Sequence, residues 1–301
     1  MILVAGDLMV DVFVLPELHE AEQPEGLLIR GGGSAANTAA WVAALGEPVT
    51  FVGAVGDDAP GRMLVDELQH EGVVPRVRTV STEPTGAVLV NVTSEGERIM
   101  RSSRGANMAL APDNLRAAEQ TECSNVHITG YALLGPYGLS LLEAAARLAH
   151  AQNALLSFDP SSPGVVKAIG REELRQALRE LGVGVLMPNA EEALCISRAT
   201  EVHAAARDLA QLTPAVVIKN GPEGAIAAQG QLIIDVPTPP RAPRDTTGAG
   251  DAFNGGALVG LSRGRSIAEA CEMGNESAGR VITWIGGRPR DMPGRAGTVG
   301  V

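Results

Sequence analysis

Short apolar runs rich in Val and Ile alternate with longer stretches of helical periodicity through most of the chain. ILVAG (2–6), VTFVGAVG (49–56), NVHITGY (125–131), ALLSFDP (154–160), VGVLMPN (183–189) and AVVIKNG (215–221) are apolar at odd and even positions alike. That pattern predicts strands covered on both faces. Between them AANTAAWVAALG, GRMLVDELQHEG, GLSLLEAAARLAHAQ, EELRQALRELG and HAAARDLAQL predict helices, as does the pair over 250–263 and 266–284. Such alternation builds an α/β fold: a doubly wound, Rossmann-like, mostly parallel sheet with helices on both faces.

Two stretches break the rhythm. Residues 8–30 and 84–104 lack a long helix, and the second reads as a hairpin in which SEGE joins VLVNV to RIMRS. Both fit a small sheet outside the main one. Such a sheet over a cleft is a lid that excludes water from reactive phosphates; two surface hairpins without a role fit the pattern equally. With no internal repeat, low-complexity tract or linker, residues 1–301 are expected to form one domain carrying these lid segments.

Composition narrows the class. The chain of 301 residues is 45% hydrophobic with mean hydropathy +0.09, and no run reaches the roughly 18 apolar residues of a membrane span. The first residues, MILVAGDLMVDVFVLP, read as strand and not as a signal peptide. Cys123, Cys195 and Cys271 are widely spaced, which disfavours disulfides and zinc clusters and makes the cytoplasm the expected location. A net charge of −11 argues against nucleic acid and anionic membranes as partners. Lys167 and Lys219 are the only lysines, and no Gly-Lys pair exists, so there is no P-loop; GxGxxG is absent too.

Four local motifs can carry chemistry. In RDTTGAGDAF (244–253), glycines precede a helix whose first amides and dipole form an anion site. Asp251 there is either a helix cap or a base that takes a proton from a hydroxyl. In GGGSAANTAA (31–40), Asn37 offers a donor and an acceptor behind a glycine triplet, or the triplet is a tight connection. In NAEEA (189–193), Asn189 and Glu192 either act on Mg²⁺ through water or form a capping box. KNGPEGA (219–225) is a glycine-bearing turn after a buried strand, where an α/β sheet offers a nucleotide site, or a plain β-turn.

In this order along one chain, these motifs resemble the ribokinase-type (PfkB) carbohydrate kinases over nearly the whole length. GGGSAANTA resembles the family's N-terminal signature, DTTGAGDAF its C-terminal one and NAEEA its intermediate Asn-x-x-Glu motif. The resemblance implies Asp251 as catalytic base, with the amides of Gly248, Ala249, Gly250 and Asp251 as the anion hole for the γ-phosphoryl group. It implies Asp11 as the sugar-hydroxyl aspartate, with Gly32, Gly33 and Asn37 beside it. Asn189 and Glu192 fall on the Mg-phosphate motif, Thr247 in the C-terminal signature, Lys219, Gly221 and Gly224 in the nucleotide loop, and Asn275 beside the adenine. ATP and Mg²⁺ are the implied cofactors. Many relatives also bind K⁺ through positions matching Asp245 and Thr247; both are present, but the tail WIGGRPRDMP places Asp291 near where a serine is often found.

The expected reaction is phosphoryl transfer from ATP to a primary hydroxyl of a small sugar such as ribose, fructose or a keto-deoxy sugar acid. Arg104, with Arg101 nearby, is placed to meet a carboxylate, or both are solvated hairpin arginines. A nucleoside kinase of the same family and a non-catalytic sugar or nucleotide sensor are the alternatives. Phe13 is the only aromatic in the lid segments, which favours a sugar over a base. Homodimerisation through the lid sheet is implied, since an exposed edge invites pairing; some relatives are monomers.

Overall fold

A computed structural model describes residues 1–14, 27–92, 98–116 and 122–290. The strands are β1 (Ile2–Ala5), β2 (Met9–Val14), β3 (Leu27–Gly32), β4 (Val49–Gly56), β5 (Val74–Val80), β6 (Gly86–Val92), β7 (Arg98–Ser103), β8 (Asn125–Thr129), β9 (Leu155–Asp159), β10 (Val185–Leu186), β11 (Ala215–Lys219), β12 (Ala225–Gln229) and β13 (Leu232–Val236). Nine form one sheet in the order β13-β12-β11-β10-β9-β8-β1-β4-β5, parallel from β11 to β5 and antiparallel at the β11-β12-β13 end.

The doubly apolar strands are explained by two cores. Leu3, Ala5, Val126 and Ile128 face one, which takes in Leu141, Leu174, Ile196 and Leu209 from helices Leu139–Ala151, Arg171–Glu180, Ala190–Ile196 and Val202–Leu209. Ile2, Val4, Val49 and Phe51 face the other, beneath helices Ser34–Ala44, Ala59–His70, Ala249–Ser262 and Ile267–Val281. Successive strand residues point to opposite faces, so a strand between two helical layers must be apolar throughout.

The smaller sheet has the order β3-β2-β6-β7, with β2 parallel to β6 and the other pairs antiparallel. The two rhythm-breaking stretches supply it, and the predicted hairpin is β6-β7; residues 15–26 and the expected SEGE turn lie outside the described residues. On one face the register aligns Val12 with Ile29 and Leu89, and Val14 with Leu27. Leu27, Ile29 and Leu89 are exposed there.

Some boundaries differ from expectation. The strand expected over 183–189 is only Val185–Leu186, because Pro188 lacks a ladder donor, although Met187 N–H still donates to Phe158 O at 2.8 Å. Edge strand β5 and the β12-β13 hairpin were not foreseen; VPRVRTV carries charge and proline, and AIAAQ is alanine-rich.

Candidate active site

The chemistry-bearing side chains gather at the carboxyl ends of the parallel strands, the place where open α/β sheets bind ligands. Asp7 follows β1, Tyr131 follows β8, Asp159 ends β9, Asn189 follows β10 and Lys219 ends β11. The helix Ala249–Ser262 begins above them.

That helix starts abruptly. Its N-cap, Gly248, has φ 74° and makes no side-chain cap. A Cβ on Gly248 would lie 2.3 Å from Gly287 Cα, so backbone meets backbone there and glycine is required twice over. Ala249 N–H donates to Thr246 O at 3.2 Å. Of the four amides expected in the anion hole, that of Ala249 is thus engaged in a turn in this structure. Gly248, Gly250 and Asp251 keep amides that meet no acceptor among the described residues, at the positive end of the helix dipole.

Asp251 does not cap its own helix. Its Oδ1 accepts from Ser34 Oγ at 2.7 Å and its Oδ2 from Asn37 Nδ2 at 2.9 Å, both on the helix Ser34–Ala44. Thr38 Oγ1 donates to the Asp251 carbonyl at 3.3 Å. Burial raises the carboxyl to about 6, against the lowering effect of the Asn37 and Ser34 hydrogen bonds. The clamping helix is itself fixed by Asp7, whose carboxylate accepts from the amides of Ser34 (3.2 Å) and Ala35 (3.3 Å) and from Thr129 Oγ1 (3.4 Å). Gly33, at φ 97°, passes so close to Asp7 that a Cβ would lie 2.5 Å from its carbonyl oxygen.

Asp11 lies on β2, buried, with its carboxylate against Gly32; a Cβ on Gly32 would meet its oxygens at 2.2 and 2.4 Å. Burial pushes it up to about 7, with Arg288 pulling the other way. Gly31 faces the opposite side of β3, where a Cβ would strike the Arg288 guanidinium at 2.8 Å. Arg288 is buried and pairs with Glu71 at 3.0 Å and Glu67 at 3.7 Å. The adjacent glycines let β3 pass between a carboxylate and a guanidinium.

Lys219 turns inward. Its Nζ donates to Asp159 Oδ2 at 2.7 Å and Asn254 Oδ1 at 3.3 Å, and Asn254 Nδ2 also donates to that Asp159 oxygen. Their mutual charge keeps Asp159 ionised and Lys219 protonated despite burial. Nζ lies 3.6 Å from where a Cβ of Gly250 would stand, directly beneath the helix start. Asn189 and Glu192 form a full capping box: Glu192 accepts from Asn189 N and Nδ2 and donates its amide to Asn189 Oδ1, each at 2.8 Å. Burial and Asp159 raise the Glu192 carboxyl to about 7.

A family model described as pfkB family carbohydrate kinase matches residues 1–293. The chain belongs to that family. A fructokinase of Klebsiella pneumoniae is 33% identical over 271 residues, 86% of this chain and 83% of that protein. Among solved structures, adenosine kinase from Sinorhizobium meliloti superposes with a TM-score of 0.86 at 28% identity, covering 97% of this chain and 96% of that one. A putative ribokinase II from E. coli, in complex with ATP and Mg²⁺, gives 0.82 at 23% identity over 95% and 94%. As a pfkB-family kinase, this chain is a phosphotransferase with an alcohol acceptor.

The family's expected residues are not all equally central. Gly221 and Gly224 (φ 57° and 93°) bracket one 3₁₀ turn, and Asn275 Nδ2 donates to Val236 O at 2.9 Å, tying β13 to the last helix. Asp245 accepts from Thr247 N at 2.8 Å and Gly286 N at 2.9 Å, joining the two loops beside the helix start; Asp291 lies outside the described residues. Arg104 lays its guanidinium 4.4 Å above the Tyr131 ring and donates to Tyr131 O at 3.3 Å, whereas Arg101 shares the outer face with Leu89. Asp7, Ser34, Asp159 and Asn254 were missed. Asp7 directly follows the strand predicted over 2–6 and Asp159 is the penultimate residue of that predicted over 154–160, and that position was the available signal.

Proposed function

We propose that this kinase transfers the γ-phosphoryl group of ATP to a primary hydroxyl of a small sugar, with Asp251 as the base. The observation that carries the reading is the Asp251 carboxylate. It is clamped from a second helix, leaves its own helix uncapped and stands beside amides that meet no acceptor among the described residues. A carboxyl near 6 is ionised at neutral pH yet basic enough to take a hydroxyl proton as the oxygen attacks.

The residues present fit ATP and Mg²⁺. The amides of Gly248, Gly250 and Asp251 form a cradle for phosphate oxygens, and Lys219 sets a fixed positive charge beneath it. Glu192 and Asn189 would hold Mg²⁺ through water, and a cation there would relieve the buried Glu192 carboxyl. When bound, ATP supplies the phosphoryl group and Mg²⁺ neutralises its oxygens. Thr247, Gly221, Gly224 and Asn275 border the nucleotide side, and Asp11, Gly32, Gly33 and Asn37 the sugar side.

For the substrate, Arg104 supports a sugar acid. It borders an open cavity of about 660 Å³ that Arg78, Ser103 and Tyr137 also line. Two arginines against one glutamate, Glu83, leave the cavity lining net positive, whereas Asp11 suits neutral hydroxyls. A nucleoside acceptor is the second reading, favoured by the adenosine kinase likeness; against it, Phe13 is buried and the Tyr131 ring carries Arg104 on one face. ADP release coupled to NADH oxidation, over pentoses, hexoses, keto-deoxy sugar acids and nucleosides, tests both. A sugar acid is expected to give the highest kcat/KM. A nucleoside giving the highest value supports the second reading, and no turnover with any acceptor of the panel overturns both.

The exposed apolar face of the small sheet supports a homodimer formed through it.

A further inference from the structure

Within the proposed transfer reaction, Asp251 has to keep one lone pair open towards the acceptor alcohol while staying ionised in a buried place. The carboxylate has two oxygens and each accepts two hydrogen bonds. Asn37 takes one position on Oδ2, and Ser34 takes one on Oδ1 at 2.7 Å, the shorter of the two contacts. Ser34 is the first residue of its helix, half-buried, with its amide held by Asp7 and its neighbour Gly33 pressed on the Asp7 carbonyl. Its backbone is therefore fixed, which leaves side-chain rotation as the one freedom of the hydroxyl.

We infer that Ser34 is a positioning residue of the transfer step: its hydroxyl fixes the Asp251 carboxylate so that the remaining lone pair of Oδ1 faces the acceptor. Resting on the reading of Asp251 as base, it assigns Ser34 a task separate from binding sugar or nucleotide. A donor to the ionised form also favours ionisation, so the same contact keeps the base active at lower pH. Around Asp251 stand Asp7 and Asp159, which raise its carboxyl, and Asp11, Glu192, Tyr131 and the Lys219 ammonium, whose own ionisation responds to it. Comparing variants at position 34 leaves all of these in place.

The test uses the full chain with Ser34→Ala and Ser34→Thr, the latter keeping a hydroxyl. Two quantities are read. One is the pH profile of kcat/KM for the best acceptor. The other is the carboxyl ¹³C titration of Asp251 in the substrate-free protein, assigned with Asp251→Asn. For Ser34→Ala, the acid limb and the titration midpoint are both expected to rise by about one pH unit, the scale of one hydrogen bond to a charged group. KM for ATP stays the same, and Ser34→Thr restores the wild-type profile. If neither quantity moves in Ser34→Ala, the inference is overturned while the base remains. If the titration moves and the acid limb does not, it fails through the base assignment beneath it.

Discussion

Lys219 Nζ and Asp159 Oδ2 are 2.7 Å apart, with side chains only 11% and 3% exposed, under the first turn of the helix that carries Asp251. Removing one partner of such a buried pair strands the other charge, which costs about 3–5 kcal/mol. Asp159→Ala is expected to lose that much stability in urea unfolding. The double variant Asp159→Ala with Lys219→Met should recover part of it, since no lone charge is left inside. A double-mutant cycle measures the coupling.

Asp251→Asn keeps the side chain's shape and one of its two acceptor oxygens while removing the base. We expect kcat to fall by ~10²–10⁴ with KM for the sugar nearly unchanged, measured by steady-state kinetics. In the wild type, turnover should decline as pH falls through about 6, because the base works only when ionised.

Much of this site was legible in the sequence, and the limits have physical causes. The doubly apolar strands announced a parallel sheet because burial on both faces leaves no polar position. Asp251 itself stayed ambiguous, because a cap and a base occupy the same place on a helix. Only the fold brings Ser34 and Asn37 to it, and no local pattern encodes that contact. Lys219 was read as part of a nucleotide loop; its partner Asp159 lies 60 positions away, two strands over in the sheet. β12 escaped notice because alanines mark no strand by propensity.

Asp11 gives a pH-dependent prediction. Its native carboxyl is raised to about 7 from 3.8, so the folded state holds the proton more tightly than the unfolded one. Stability attributable to this group is therefore greatest at low pH and is lost as pH rises from about 4 to 7. Asp11→Asn removes that loss. At pH 8 the variant should be more stable than wild type by roughly 2–4 kcal/mol, with little difference at pH 4, in denaturant titrations at both pH values. The same variant should bind the sugar less tightly, read as a higher KM.

Leu27, Ile29 and Leu89 are 65%, 52% and 42% exposed on one face of the small sheet. If two chains pair through this face, wild type sediments as a dimer and Ile29→Asp as a monomer with its fold intact by circular dichroism. A wild-type protein that stays monomeric at tens of micromolar would remove the dimer.

The two donors that hold Asp251 precede it by 217 and 214 positions. On a ribosome adding about 5–20 residues per second, roughly 10 to 40 s separate the synthesis of Ser34 from that of Asp251. During that interval the emerging chain holds Ser34 and Asn37 but lacks the carboxylate they clamp. With Asp251 as the proposed base, turnover is expected only once the helix Ala249–Ser262 docks, and a chain that stops short of it is expected to be inactive even where its sheet has begun to fold.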